Sequence, residues 1–270
     1  MSSGSTGVVE ASAGATGVKG WTSLYAGSLP DSWQTIGLAR PEPSSAKKIN
    51  LTLTWTPPTP CRARWSAFRA TEREPVAGYK VGATGLGVRE QFGMDGPIRV
   101  FVYGTEFYPS GAELSHASYA NLAIEGELAV RLGDRAEIVC IFPVIELHNY
   151  VFRSKSPNLQ ELIANNGVHA GVVLPVTEGG EWRGEKSLTG TLRVEINGRT
   201  VEEGSMSGVP SGPVGSVEWL RRNLRAYDLA LRPRQLVLTG TSLGLYPLRP
   251  DEFVRVTAER LGTVVATVVL

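Results

Sequence analysis

Cysteine is scarce in this chain. Only Cys61 and Cys140 occur among its 270 residues, too few for a disulfide framework, and neither stands in a metal-ligand spacing. Histidine is almost as rare. His116, His148 and His169 are the only three, and their separation matches no zinc motif. No apolar run approaches the roughly 20 residues that span a bilayer, so no membrane partner is expected. No charged segment followed by an apolar one opens the chain, so no signal peptide is expected either, and the reading is cytoplasmic. Neither sign of charge dominates. Twenty-seven Lys and Arg against 26 Asp and Glu leave a net charge of +1, without the basic excess of a nucleic-acid-binding domain. Long amphipathic stretches are also few. What is abundant is punctuation: 31 Gly and 17 Pro in a chain that is 42% hydrophobic. That composition fits a globular protein built from strands and turns rather than a helical bundle. The length suits one large domain or two small ones with a sizeable core.

Residues 1–20 are Ser, Gly, Ala and Thr with little to bury, and are read as disordered. Residues 21–75 form a separate N-terminal region. Within it Ile49–Trp55 alternates apolar and polar as a strand does, Pro57, Pro58 and Pro60 end that strand, and 62–74 reads as a short helix. From Val76 the pattern becomes regular. Strands are expected at Val76–Val81, Ile98–Tyr103, Ala123–Leu132, Ile138–Leu147, Ala170–Leu174, Leu188–Ile196, Gln235–Thr239, Glu252–Ala258 and Thr263–Leu270. A short helix is expected at Leu86–Phe92. A second starts with Ser156 at its N-cap and Pro157 at its first position, buries Leu159, Leu162 and Ile163, and stops before Gly167. Val217, Leu220, Leu224 and Tyr227 mark a third. Asn197-Gly198 is a hairpin turn. The class is α+β and rich in β.

The sharpest chemistry lies in Ala123-Ile124-Glu125-Gly126-Glu127-Leu128-Ala129-Val130. Side chains alternate across a strand, so Ile124, Leu128 and Val130 share one face while Glu125, Glu127 and Ala129 share the other. Two carboxylates at i and i+2 repel unless water or a cation relieves them. Gly126 between them lets another backbone or a ligand come close. A third carboxylate, Glu146, lies inside the apolar run Ile141–Leu147, where burying it alone is expensive. Three oxygen donors with open positions suit Mg²⁺ or Mn²⁺. A Glu-x-Glu on a solvated sheet face is common by itself; Glu146 tips the reading towards a metal.

Several segments together bring a family into view. Gly78-Tyr79-Lys80-Val81-Gly82, Gly93-Met94-Asp95-Gly96-Pro97, Ile124–Val130 and Pro143-Val144-Ile145-Glu146 resemble the 2-keto-4-pentenoate hydratase / 4-oxalocrotonate decarboxylase group of the fumarylacetoacetate hydrolase superfamily. Asn165-Asn166 resembles that group's Asp-Asn segment, and Trp219-Leu220 and Val237–Thr241 resemble its closing elements. The likeness covers 76–270, taken as the hydratase-like catalytic domain. It implies a β-rich mixed roll of the fumarylacetoacetate hydrolase C-terminal type, metal ligands at Glu125, Glu127 and Glu146, an active-site lysine at Lys80, and a short 2-oxo or 2-hydroxydienoic acid from aromatic-ring degradation as substrate. The chain departs from the group in a short interval between Glu127 and Glu146, in Gly167, Val168 and His169 where small hydroxyl residues are usual, and throughout 1–75.

A metal on such a triad stabilises the enolate of a 2-oxo acid. Hydration, decarboxylation, C–C hydrolysis and tautomerisation all pass through that enolate. The expected activity is a metal-dependent lyase of the hydratase type. The alternatives are a decarboxylase of a 2-oxo diacid, a repurposed isomerase or cyclase of a larger metabolite, and a non-catalytic partner subunit. Association into a homo-oligomer is expected. Lys80 would neutralise the substrate carboxylate or shuttle a proton. Asp95 either orients Lys80 or water, or caps a turn. His169 is either a new acid/base on the pocket wall or a satisfied structural histidine. Asn166, His169, Thr239 and Thr241 are the candidate substrate contacts. Gly240-Thr241-Ser242-Leu243-Gly244 matches a nucleophile elbow, but no histidine follows it and no helix is expected after it; a turn is the better reading. Gly82–Gly87 lacks the residues of a phosphate loop.

Overall fold

The computed structural model describes residues 74–152, 158–185, 188–207, 209 and 212–270. The segment 1–20, the strand expected at Ile49–Trp55, the helix over 62–74 but for Glu74, and both Ser156 and Pro157 lie outside the described residues.

The chain enters through β1 (Val76–Gly82), α1 (Leu86–Phe92) and β2 (Ile98–Tyr103). Two short strands not anticipated from the sequence follow, β3 (Phe107–Pro109) and β4 (Ala112–Ser115). The long hairpin β5 (Leu122–Leu132) and β6 (Ile138–Asn149) comes next, then α2 (Leu159–Ala164), β7 (His169–Leu174) and β8 (Gly180–Glu181). β9 (Thr191–Ile196) and β10 (Arg199–Ser205) form a second hairpin through Asn197-Gly198, both at positive φ. The C-terminal part holds α3 (Gly212–Arg225), β11 (Leu236–Leu238), β12 (Tyr246–Pro247), β13 (Phe253–Ala258) and β14 (Gly262–Val269). Among the described residues no helix is long and apolar enough to cross a membrane.

These strands make two sheets. The larger runs β2-β1-β11-β5-β6-β7-β3, with β12 added beside β5 and β8 beside β6. The smaller runs β10-β9-β13-β14-β4. The larger sheet curls into a half-barrel, the β-rich mixed roll expected from the sequence. Alternation along β5 and β6 decides what each face does. Ile124, Leu128, Val130, Ile145 and Leu147 point into the main core with Val194, Val254, Val256 and Val264 of the smaller sheet. Val217, Leu220 and Leu224 of α3 close the same core. The opposite face carries a smaller apolar cluster of Val102, Ala129, Phe142, Val144, Val172, Leu236 and Leu238, and with it the acidic residues.

Gly126 shows how tightly the sheets meet. A Cβ at that position would lie 2.5 Å from Val194 Cγ2 and 3.3 Å from both Val256 methyls. Where another backbone or a ligand is expected against this glycine, the side chains of Val194 and Val256 in the second sheet are what meet it.

Helix α2 corrects one expectation. Its N-cap is Asn158, not Ser156. Asn158 Oδ1 accepts the Glu161 amide at 2.9 Å, and Glu161 Oε2 accepts the Asn158 amide at 3.1 Å. This reciprocal capping box satisfies two orphan amides at once, which a lone Ser-Pro start cannot do. The strand expected from Leu188 begins only at Thr191, after Gly190 at φ 126°. Tyr227 lies beyond the end of α3 and receives the Arg99 guanidinium on its ring at 4.6 Å.

Candidate metal centre

The register of the central hairpin assembles the site. Glu125 on β5 pairs directly with Glu146 on β6, and Glu127 pairs with Val144. Because directly opposed residues share a face, Glu125, Glu127, Glu146 and His148 all project to the same side. Neighbouring strands add the rest. On β1, Lys80 pairs with Leu238 of β11, which pairs with Ala129 of β5. On β7, His169 pairs with His148.

Glu127, Glu146 and His148 are essentially inaccessible to solvent, and Lys80 and His169 are buried. Glu125 alone is partly open. Lys80 Nζ lies 2.8 Å from Glu146 Oε1, and His169 Nδ1 lies 2.7 Å from the same oxygen. His148 Nε2 lies 3.3 Å from the other oxygen, Glu146 Oε2, and 3.2 Å from Glu125 Oε2. His169 Nε2 stands 3.6 Å from Glu106 Oε2. Glu127 is held from a third direction: the Gly240 amide donates to its Oε1. Gly240 sits at φ 90°, and a Cβ there would collide with Thr84, so this donor is fixed by a backbone position that only glycine fills without strain.

The two buried carboxylates carry unlike charge. Burial pushes the Glu127 carboxyl well above its ordinary range, and the neighbouring Glu146 adds to the push more than Lys80 relieves it. Burial acts on Glu146 in the same sense, but Lys80, His148 and His169 together outweigh it and hold its pKa well below that range. Burial would also strip the proton from Lys80, yet Glu146, Glu125 and Glu127 reverse this and raise its pKa. His148 follows the same logic: burial and Lys80 lower its pKa, while Glu146 and Glu125 raise it further. Without a cation, the negative charge concentrates on Glu146 and a proton is retained on Glu127.

That arrangement leaves an imbalance. Glu127 Oε2 is buried and accepts no hydrogen bond, and His148 Nδ1 is buried without one. Orphaned buried polar atoms are rare and costly. A cation among these donors would satisfy them, and oxygen donors with imidazole nearby suit a divalent ion. Glu125, Glu146 and His148 each present a ligand atom within 4.8 Å of the others. The residues fit a metal.

The fumarylacetoacetate (FAA) hydrolase C-terminal family matches residues 92–269. The chain belongs to the fumarylacetoacetate hydrolase family. Among curated relatives, a 4-oxalocrotonate decarboxylase from Pseudomonas sp is 24% identical over 210 residues, covering 73% of this chain and 80% of that protein. A 2-oxo-hept-4-ene-1,7-dioate hydratase from Escherichia coli is 25% identical over 223 residues, covering 74% and 81%. Among solved structures, 4-oxalocrotonate decarboxylase from Pseudomonas putida G7, complexed with magnesium and adipate, superposes with a TM-score of 0.69 at 21% identity, covering 77% of this chain and 84% of that one. Fumarylpyruvate hydrolase from Pseudomonas aeruginosa, complexed with Mn²⁺ and pyruvate, gives 0.58 at 16% identity, covering 73% and 91%. The structural matches establish the fumarylacetoacetate hydrolase fold, and the named relatives are enzymes.

The structure gathers Lys80, Glu125, Glu127, Glu146 and His169 around one point. It does not gather the rest. Asp95 is exposed in the loop between α1 and β2, and the partner that fixes Lys80 is Glu146. Asn166 spends its side-chain amide on the main chain of β2: Oδ1 accepts the Phe101 amide at 3.0 Å and Nδ2 donates to the Phe101 carbonyl at 2.8 Å. The Thr239 hydroxyl donates to the Leu128 carbonyl at 2.8 Å, and the Thr241 hydroxyl accepts the Leu243 amide at 3.1 Å within its own turn. Each of these three side chains makes its hydrogen bond to the main chain. The stretch around Ser242 is a turn without a following helix, as expected. Sequence reasoning missed His148, Glu106 and the Gly240 amide. His148 had a signal, since Glu146-Leu147-His148 repeats the i, i+2 spacing of Glu125-Gly126-Glu127. Glu106 and Gly240 join through tertiary contacts that no local pattern announces.

Proposed function

We propose that this protein is a divalent-metal-dependent lyase of the hydratase type, acting on a short 2-oxo or 2-hydroxydienoic acid. The observation that carries the reading is the Glu125, Glu127 and Glu146 cluster, the last two buried, with an orphaned Glu127 oxygen and Lys80 fixed beside Glu146. Glu125, Glu127 and Glu146 would hold Mg²⁺ or Mn²⁺, which when bound supplies Lewis-acid stabilisation of charge developing on a 2-oxo acid. The catalytic unit is assigned to 76–270, and the reading carries with it a cytoplasmic homo-oligomer.

The chain's own groups have separable tasks in this reading. Lys80 keeps its proton, because three carboxylates outweigh the desolvation of its ammonium. It therefore acts as a cation facing the substrate carboxylate, or as a proton donor from Nζ, before it acts as a base. Glu146 orients Lys80 and His169 through one oxygen. The apolar neighbours Phe142, Val144, Val172 and Leu238 exclude water, which strengthens every charge interaction inside. The Gly240 amide holds Glu127 in place as substrates exchange.

The test is purified protein with 2-hydroxypenta-2,4-dienoate and Mg²⁺ or Mn²⁺. The expected result is loss of the dienoate absorbance that requires the metal and vanishes in Glu127→Gln. Turnover that ignores the metal, or that survives in Glu127→Gln, would overturn the reading. Decarboxylation of a 2-oxo diacid is a second reading. It is supported by the 4-oxalocrotonate decarboxylases among both the curated relatives and the solved structures, and by Lys80 as a buried cation beside the metal ligands. Release of carbon dioxide from 4-oxalocrotonate in the same assay would distinguish it.

A further inference from the structure

We infer that His148 supplies a nitrogen ligand to the bound cation, so that this centre is a mixed nitrogen and oxygen site that favours Mn²⁺ over Mg²⁺. The inference rests on the metal-dependent reading above and refines which ion the site selects. Its basis is how the two oxygens of Glu146 are used. Oε1 already receives Lys80 at 2.8 Å and His169 at 2.7 Å. A cation is therefore repelled from that side and drawn to Oε2. There the nearest donor atoms are not another lysine or an amide but His148 Nε2, 3.3 Å from Glu146 Oε2 and 3.2 Å from Glu125 Oε2. Ligand atoms about 2.1 Å from a common ion, at right angles to one another, stand about 3 Å apart. The observed separations are those of neighbouring ligands in one coordination shell.

The imidazole is 1% exposed, its Nε2 faces the carboxylate oxygens of Glu125 and Glu146 alone, and its Nδ1 is buried without a hydrogen bond. Its place is set by the hairpin register, which puts His148 opposite Ala123, a residue too small to cover the ring. Imidazole nitrogen raises affinity for manganese and later first-row metals, whereas Mg²⁺ prefers oxygen donors and retained water. In the hairpin register Glu127 lies on the other side of the Glu125–Glu146 pair from His148.

The experiment is pulsed electron paramagnetic resonance of the Mn²⁺-loaded full-length protein, with calorimetric titration of Mn²⁺ and Mg²⁺ into wild type and His148→Gln. The expected result is a ¹⁴N modulation in the wild-type spectrum that His148→Gln removes. That variant is also expected to lose Mn²⁺ affinity by about 10- to 100-fold, while Mg²⁺ affinity changes by about threefold or less. A manganese signal without nitrogen coupling in the wild type would overturn this inference and leave the enzyme reading standing, whatever the variant does. A coupling that persists in a folded His148→Gln variant would assign the nitrogen to another residue and likewise overturn it. No bound Mn²⁺ or Mg²⁺ at all would overturn both.

Discussion

The two faces of the β5–β6 hairpin share a backbone and differ in every physical respect that matters. One face presents Ile124, Leu128, Val130, Ile145 and Leu147 to the second sheet. There each side chain is stabilised by leaving water, and no partner has to be exact in charge. The other presents Glu125, Glu127, Glu146 and His148, where burial works against every ionised group. The first face makes the protein stable enough to tolerate the second. The difference also sorts mutations: changes on the apolar face should cost stability with metal binding retained, and changes on the acidic face should alter metal binding out of proportion to stability.

The largest effect is expected at Glu146. Replacing it by Gln leaves Lys80 and His148 buried without their main counter-charge, and breaking a buried pair of this kind costs about 3–5 kcal/mol. Glu146→Gln should therefore lower the unfolding midpoint in urea and abolish detectable Mg²⁺ or Mn²⁺ binding. A well-folded variant that still binds metal would erase the contrast. Leu128→Ala, two residues from Gly126 on the apolar face, should cost about 2–5 kcal/mol through the cavity it leaves, with metal affinity per folded molecule unchanged in calorimetry. Gly126→Ala should cost about 1–3 kcal/mol, because its methyl meets Val194 and forces overpacking between the sheets.

A smaller and oppositely signed effect belongs to Glu127. Its folded pKa is raised, so its contribution to the stability of the metal-free protein is fully present below the unfolded carboxylate pKa and is lost as pH rises through the folded value. Glu127→Gln should accordingly stabilise the metal-free protein at neutral and alkaline pH and have little effect at pH 4. Thermal melts across that range check the sign. Adding Mn²⁺ at about 100 times its Kd should raise wild-type stability by about 2.7 kcal/mol and leave the variant almost unmoved.

Much of this contrast was legible in the sequence. Alternation alone separated Glu125 and Glu127 from Ile124, Leu128 and Val130, and a carboxylate inside the run Ile141–Leu147 singled out Glu146. Lys80 came from its resemblance to a family segment, not from any pattern of its own. What a one-dimensional pattern lacks is register. Nothing local says that Glu125 faces Glu146 instead of Val144, and that pairing alone decides whether the carboxylates meet. The same gap hid His148, whose significance depends on lying beside Glu125 across the hairpin. Asn166 and Thr239 read as substrate contacts because a hydroxyl or amide near a site invites that reading. Their main-chain partners, Phe101 and Leu128, come from other strands and were invisible. The N-cap of α2 was misplaced for a local reason, since the reciprocal Asn158–Glu161 pair outweighs a Ser-Pro start.

The central claim is that Glu125, Glu127 and Glu146 converge to hold one divalent cation. Calorimetric titration of Mn²⁺ at pH 7, run in two buffers of different ionisation enthalpy, tests it most directly. In the metal-free protein the pKa of Glu127 is raised by burial and that of His148 by Glu146 and Glu125, and a bound cation favours the deprotonated form of both. The account predicts one tight site per wild-type chain, with net proton release on binding, and no saturable binding in Glu127→Gln. Binding with no buffer dependence, or no saturable binding at all, would contradict it.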